Sequence, residues 1–184
     1  RERMGPWAAE TTHFQGTIGS RKPASYWQHA LQQTKLRQGQ LGCYDSHVRM
    51  WQEIVKEKWA RTLVLEDDVR LYPTSESVAY CQVLMEEIKS VEWDVLFLNQ
   101  NRRSIGTQVG PHLFKVNADF TGTFAYLITY SGAQQLLERC RPWKQPIDVF
   151  MAQQGASGQV KMLRCEPGLS AVVPEISTTC GGLA

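Results

Sequence analysis

The chain has 184 residues, of which 42% are hydrophobic and 21% charged, the composition of a globular protein with enough apolar material for one sizeable core. Its 20 basic and 18 acidic residues give a formal net charge of +2, so bulk charge favours neither nucleic-acid binding nor an acidic disordered chain. No run of about 18 apolar residues occurs, and no membrane span is predicted. We expect one domain over residues 1–184.

The chain begins with Arg1 and not with Met, which indicates a fragment or a processed product. Residues 1–38 have no clear pattern. The five cysteines are widely spaced, without the pairing with each other or with histidine that binds zinc. We interpret them as separate buried thiols, and disulfides remain open for an oxidising compartment.

The first half of the chain alternates helices and apolar strands. Apolar residues three or four apart predict an amphipathic helix over residues 40–59, followed directly by a buried strand over residues 62–65. A second helix is predicted to open at Ser75, and residues 93–98 form another continuous apolar strand. Continuous apolar strands joined by helices indicate an α/β fold with a mostly parallel central sheet flanked by helices.

The second half contains more strands. Residues 112–118 and 121–129 are predicted strands, and Ser131 is predicted to cap a short helix. Another helix begins after Pro146, a last apolar strand covers residues 159–165, and the tail that follows looks loose.

Three consecutive carboxylates, Glu66, Asp67 and Asp68, follow the first predicted strand. Ligands of open α/β sheets bind beyond the carboxyl ends of strands, and carboxylate oxygens suit Mg²⁺ or Mn²⁺. A solvated acidic turn is the alternative. A phosphatase of the aspartyl-phosphate type is a remote option, because Val69 stands where that chemistry needs a second acid.

Two further side chains are candidates for catalysis. Asp148 follows Pro146 among apolar residues, where a carboxylate can serve as a general base, although it can equally cap a helix. His47 lies on the first helix near the border of its apolar stripe, and it is either a site residue or a core histidine with satisfied hydrogen bonds.

For five other residues, ligand binding is one of two interpretations of the sequence. Arg102 and Arg103, in the loop after the strand at 93–98, can bind phosphate or be solvated. Tyr126, Phe124 and Tyr130 can stack on a sugar ring or belong to the core.

Five ordered blocks together resemble glycosyltransferase family 25, which contains bacterial lipooligosaccharide galactosyltransferases and procollagen galactosyltransferases. They are "GQLGCYDSHVRMWQEIV" (39–55), "TLVLEDDVRL" (62–71), "WDVLFLN" (93–99), "GTFAYLITYSGAQQLL" (122–137) and "QPIDVFM" (145–151). The resemblance defines a family-like core at 39–151, followed by a C-terminal strand and tail at 152–184.

The resemblance implies a GT-A-like fold and an inverting, metal-dependent transfer of galactose or glucose from a UDP-hexose donor to a hydroxyl of a glycan or protein. Glu66 and Asp68 would bind Mn²⁺ or Mg²⁺, and Asp67 would orient donor hydroxyls. Asp148 would be the base, with His47 as a second site residue. The candidate donor-binding residues are Glu66, Asp67, Arg102 and Arg103, the two arginines from their position in the loop and not from the resemblance. The compartment would be the ER or Golgi lumen in a eukaryote and the cytoplasm in a bacterium.

Departures from the family pattern set the alternative. Asp45 stands where an apolar residue is more usual and Asn99 where glycine is, so local packing or donor contacts are expected to differ. The first strand of the family fold is expected to be missing. A chain of this kind can also be a catalytically inactive binding or adhesion module with a glycosyltransferase-like fold.

Overall fold

A computed structural model describes residues 13–28, 35–71, 75–99 and 106–172. Two 3-10 turns, Gly19–Arg21 and Ala24–Trp27, precede the regular elements. Those elements are α1 (Gln38–Glu57), β1 (Arg61–Leu65), β2 (Val69–Leu71), α2 (Ser75–Glu87), β3 (Val95–Phe97), β4 (Leu113–Lys115), β5 (Ala125–Thr129), α3 (Tyr130–Arg139), α4 (Ile147–Ala156), β6 (Met162–Cys165) and β7 (Ser170–Val172).

Strand direction differs from the prediction. The five-stranded sheet has the order β1-β5-β3-β6-β4, in which β3 and β6 are parallel and the other neighbouring pairs are antiparallel. The α/β class is confirmed, but the prediction of a mostly parallel sheet is wrong. A continuous apolar run indicates burial on both faces of a strand, and β5 is buried in that way while it runs against both β1 and β3.

Helices cover the sheet on both faces. On one face Phe97 and Tyr126 share a core cluster with Trp51 of α1. On the other face Leu96 shares a second cluster with Leu84 of α2. The alternation of side chains along β3 therefore divides the core into two layers, one on each side of the sheet.

Helix α1 forms as its apolar spacing predicts, and it begins two residues earlier, at Gln38. The left-handed backbone of Lys58, with φ of 54°, ends it. Asp45, the polar departure from the family pattern, is buried and accepts hydrogen bonds from the hydroxyls of Thr17 (2.5 Å) and Tyr26 (3.2 Å). Its carboxylate thus attaches the segment before α1 to the helix.

Two predicted boundaries in the second half are corrected. Thr129 caps α3, because its Oγ1 accepts a hydrogen bond of 3.0 Å from the amide of Gly132, so the predicted cap at Ser131 is wrong. Residues 121–124, predicted as strand, form a loop before β5.

The C-terminal region has more order than predicted. Strand β7 pairs with β2, which follows the acidic turn, in a separate antiparallel two-stranded sheet. The rest of the predicted loose tail, 173–184, lies outside the described residues.

Among the described residues before α1, 13–28 and 35–37, the backbone forms 3-10 turns and no strand. The expected loss of the family's first strand stays a prediction. No helix in the described ranges has the length and apolarity required to cross a bilayer.

Candidate active site

Three chain segments meet at one edge of the sheet. β1 and β3 end at this edge and β5 begins there, because β5 is antiparallel to both. The amide of Glu66 donates to the carbonyl of Phe124 at 2.9 Å, which joins the acidic turn to the loop 121–124. Asn99, buried at the end of β3, directs its Nδ2 toward the carbonyls of Thr121 (3.4 Å) and Gly122 (3.5 Å).

The carboxylate of Glu66 is held by two donors on the same oxygen. Its Oε1 accepts a hydrogen bond from Thr123 Oγ1 at 2.8 Å and lies 3.2 Å from His47 Nε2. Burial raises the pKa of Glu66, but the hydrogen bonds from His47 and from the Thr123 hydroxyl outweigh it and hold the pKa below its usual range. Glu66 is therefore a carboxylate at neutral pH.

His47 is buried, and both of its ring nitrogens have partners. Nδ1 lies 2.8 Å from the hydroxyl of Tyr126, to which Trp51 Nε1 also donates at 3.0 Å. Nε2 faces Glu66. The two sequence interpretations of His47 thus meet in one residue, because it is a core histidine with satisfied hydrogen bonds that also contacts the acidic turn.

The other two acids of the turn lie in different surroundings. Asp67 is exposed, whereas Asp68 is buried with 4% of its surface accessible. The negative charge of Asp68 raises the pKa of Cys43 on α1. The turn thus places Asp68 in the protein interior and leaves Asp67 in solvent.

Asp148 lies in the first turn of α4, and both of its carboxylate oxygens accept backbone hydrogen bonds. Oδ1 accepts from the amide of Val149 at 2.9 Å and Oδ2 from the amide of Gly122 at 3.1 Å. The N-cap position belongs to Pro146. Asp148 therefore connects the start of α4 to the loop 121–124, and each oxygen keeps a second lone pair for a further donor.

Cys43 marks the point where the predicted acids come together. Burial raises the pKa of its thiol, the charges of Glu66, Asp148 and Asp68 raise it further, and a hydrogen bond with Thr123 lowers it. The charges of three acids from two distant parts of the sequence therefore act on one thiol. The sequence interpretation missed Cys43 and Thr123, although Cys43 lies four residues before His47 and hence on the same side of α1.

Two ligand sets can be compared for a metal ion. The potential ligand atoms of Cys43, His47 and Glu66 lie within 4.8 Å of one another. That set does not fit well, because both nitrogens of His47 are hydrogen-bonded and the raised pKa of Cys43 keeps its thiol protonated. The carboxylates of Glu66 and Asp68 supply the hard oxygen ligands that Mg²⁺ and Mn²⁺ prefer. The donor chemistry of this second pair fits the implied metal.

The remaining candidate binding residues are two arginines and three aromatic residues. Arg102 and Arg103 lie in 100–105, outside the described residues, and their role stays a prediction. Tyr126 is fully buried, so it belongs to the core and offers no face to a sugar. Phe124 and Tyr130 are partly buried.

Comparison with known proteins decides the family. A model of glycosyltransferase family 25, described as an LPS biosynthesis protein family, matches residues 8–151. The chain belongs to glycosyltransferase family 25. The suspected family is therefore confirmed, and the match extends upstream of the core expected at 39–151. It includes Cys43, His47, the acidic turn and Asp148.

The family 25 chain is similar to parts of longer animal proteins. Procollagen galactosyltransferase 1 of Danio rerio is 35% identical over 124 residues, and the probable inactive glycosyltransferase 25 family member 3 of Bos taurus is 32% identical over 124 residues. Procollagen galactosyltransferase 2 of Mus musculus is 30% identical over 123 residues. Each alignment covers 63% of this chain and 19% or 20% of the relative. The chain thus spans about one fifth of the length of these curated relatives.

Proposed function

We propose that this chain is part of a metal-dependent, inverting glycosyltransferase that moves a hexose from a UDP-sugar to a hydroxyl of a glycan or protein. The observation that carries the proposal is the convergence of Glu66 and Asp148 on the loop 121–124, which donates to Glu66 Oε1 from Thr123 and to Asp148 Oδ2 from Gly122. Asp68 is buried two residues after Glu66. Family 25 membership supports sugar transfer as the reaction. The convergence supplies negative charge for a cation and a separate carboxylate for a base.

Glu66 and Asp68 are the residues that would hold Mn²⁺ or Mg²⁺, and the bound cation would stabilise the negative charge of the departing nucleotide diphosphate. Glu66 enters this role already ionised, because its pKa is low. Asp68 is buried beside it, so its charge is less screened by solvent than that of an exposed acid. We propose that the exposed carboxylate of Asp67 orients ribose or sugar hydroxyls of the donor.

We assign to Asp148 the role of the base that accepts the proton of the acceptor hydroxyl. Its hydrogen bonds to the amides of Gly122 and Val149 fix the carboxylate in position, and fixed orientation lowers the cost of reaching a reactive geometry. In an inverting transfer the acceptor oxygen attacks the anomeric carbon as its proton passes to the base. The base is a different carboxylate from the proposed metal pair, so one group does not have both tasks.

We propose that Arg102 and Arg103 bind the diphosphate of the donor. They follow β3, and the last described residue there, Asn99, lies at the edge that carries the acids. Arginine binds phosphate oxygens through paired N–H donors, which suits a diphosphate beside a carboxylate-bound cation. We further propose that the glycosyltransferase domain has a GT-A-like fold.

An inactive binding module is the second candidate. One of the relatives is named a probable inactive member of the family, and a human relative, 31% identical over 124 residues, is named inactive. Such a module would keep the fold and the buried contacts of Glu66 and His47 without turnover. Turnover by the chain separates the two candidates.

The test uses UDP-galactose and UDP-glucose with Mn²⁺, with Mg²⁺, and with a chelator. Because two relatives are named procollagen galactosyltransferases, a collagen peptide bearing hydroxyl acceptors is the first acceptor, and a bacterial-type oligosaccharide is the second. We expect transfer from one of the donors that disappears with the chelator. Equal activity with the chelator contradicts the metal role, and donor binding without turnover on either acceptor favours the binding module.

A further inference from the structure

Four side chains form a continuous line of hydrogen bonds from the core to the acidic turn. Trp51 Nε1 donates to the hydroxyl of Tyr126 at 3.0 Å, and this hydroxyl lies 2.8 Å from His47 Nδ1. His47 Nε2 lies 3.2 Å from Glu66 Oε1. Trp51 and Tyr126 have no exposed surface, and 4% of His47 is accessible, so water does not compete along most of the line.

The chemistry of the two ends gives each bond one consistent direction when His47 is neutral. An indole N–H is a donor only, so the Tyr126 oxygen must accept from Trp51. Within the described residues His47 Nδ1 is the one acceptor in reach of the phenol proton, so a neutral His47 accepts there, and burial raises the pKa of Tyr126 so that this proton is retained. His47 with Nδ1 as acceptor carries its proton on Nε2, where the carboxylate of Glu66 accepts. Both ends of the line therefore require the same tautomer.

We propose that the Trp51, Tyr126 and His47 line is a positioning device, which holds His47 as the Nε2–H tautomer and aims the carboxylate of Glu66 at the cation. This inference rests on the proposed function and makes His47 a positioning residue in place of a catalytic one. Thr123 completes the device from the other side, because its hydroxyl donates to the same Oε1. Within the described residues Oε2 accepts no hydrogen bond, and it is the oxygen left for the metal.

The tautomer is measured first, because it does not depend on donor binding. Nitrogen-15 NMR of the labelled 184-residue chain separates protonated from unprotonated ring nitrogens. The chain has four histidines, and the signals lost in His47→Gln identify His47. We expect a protonated Nε2 and an unprotonated Nδ1. A protonated Nδ1 overturns the proposed direction of the bonds.

The positioning role is measured as Mn²⁺ affinity in the presence of UDP. Tyr126→Phe removes the central hydroxyl, and Tyr44→Phe is the matched control, because Tyr44 is a buried tyrosine of α1 whose hydroxyl donates to the carbonyl of Cys140 at 3.0 Å. We expect Tyr126→Phe to weaken Mn²⁺ binding about tenfold, the lower end of the roughly 10- to 100-fold effect of removing a direct partner of a metal ligand, because Tyr126 acts on Glu66 through His47. Tyr44→Phe is expected to lower the melting temperature without this loss.

Substitutions of His47 provide a rescue. His47→Leu removes both hydrogen bonds and should lose Mn²⁺ affinity as Tyr126→Phe does. In His47→Gln the side-chain amide again offers an N–H to Glu66, so affinity should recover at least in part. Equal losses in Tyr126→Phe and Tyr44→Phe, or no difference between the His47 variants, overturn the positioning role. A wild-type chain that binds neither Mn²⁺ nor UDP contradicts the proposed function. In that case the NMR measurement of the His47 tautomer is the remaining test of the hydrogen-bond line.

Discussion

The amide of Gly122 donates a hydrogen bond of 3.1 Å to Oδ2 of Asp148, and this contact joins the loop 121–124 to the start of α4. The next residue, Thr123, donates through its hydroxyl to Glu66. The loop 121–124 therefore links the proposed base on α4 to the proposed metal ligand after β1. A displacement of the loop would move both carboxylates together.

Asp148→Asn tests the base. The amide cannot accept a proton at neutral pH, so we expect the transfer rate to fall about 10²- to 10⁴-fold, the usual contribution of general acid–base catalysis. Donor affinity should change less than about threefold, because the base acts on the acceptor. Steady-state kinetics of sugar transfer and calorimetry with UDP give the two values.

A control for Asp148 must separate chemistry from loop support, because asparagine also loses one of the two backbone hydrogen bonds. Thr123→Val removes a hydroxyl of the same loop and leaves the carboxylate of Asp148 in place. If Thr123→Val and Asp148→Asn reduced the rate and the donor affinity to the same extent, Asp148 would act through the loop. Full activity of Asp148→Asn excludes the base role altogether.

Asp68→Asn tests the metal site. Loss of a direct ligand should weaken Mn²⁺-dependent binding of UDP by more than the roughly 10- to 100-fold that loss of a neighbouring contact causes. The matched control is Asp119→Asn, an exposed acid in a turn, which should bind UDP like the wild type. Unchanged calorimetric affinity in Asp68→Asn contradicts the assignment of this residue to the metal.

The helix α1 and the strand β1 were predictable because their residues carry the information locally. Apolar residues three or four apart along α1 and the continuous apolar run of β1 set their type, and both boundaries fall within two residues of the prediction. The direction of β5 was not predictable in this way. Its apolar run reports burial, which is the same for either direction, and its place between β1 and β3 depends on contacts far apart in sequence.

In the candidate site, too, the residues with a local sequence signal were predictable and those that depend on distant contacts were not. Glu66 and Asp68 were found because they follow a strand that was predicted to be buried, and Asp148 because it follows a proline before a helix. The burial prediction is wrong, because β1 is an edge strand of the described sheet in which Val64 is buried and Leu63 is 43% exposed. The partners of these acids were missed where they depend on the position of β5. Tyr126 and Thr123 approach His47 and Glu66 only because β5 and its preceding loop lie beside β1.

Gly122→Ala tests the loop. Gly122 has φ of 88°, and a Cβ there would lie 2.7 Å from Cε1 of Phe124. Gly158 also has positive φ (72°) but open space around the Cβ position, so Gly158→Ala measures the backbone strain alone. We expect Gly158→Ala to cost about 1–2 kcal/mol in unfolding free energy, and Gly122→Ala to cost about 1 kcal/mol more.

The two glycine variants should also differ in function. Only Gly122→Ala displaces the loop that contacts Glu66 and Asp148, so only this variant should weaken UDP binding with Mn²⁺. Denaturant unfolding and calorimetry measure the two effects. Equal unfolding free energies for the two variants would mean that the Phe124 ring moves aside without cost, and the loop would then tolerate displacement.

Glu66→Gln gives a prediction for pH. The pKa of Glu66 is below its usual range in the folded chain, whereas the unfolded chain has a glutamate pKa of about 4.3. The stabilisation from the carboxylate is therefore present above that value and is lost as the pH falls through the lower folded-state pKa. At pH 7 we expect Glu66→Gln to lower the unfolding free energy by about 1 kcal/mol, because two hydrogen bonds lose a charged acceptor.

The difference between wild type and Glu66→Gln should shrink as the pH is lowered from about 5 to below 4, because both chains then carry a neutral group at this position. Glu138→Gln is the control, since Glu138 is an exposed acid paired with Arg139 and its substitution should change the unfolding free energy by less than about 0.5 kcal/mol. Urea unfolding at several pH values measures these differences. A difference that stayed constant with pH would show that the charge of Glu66 contributes nothing to the contact with His47.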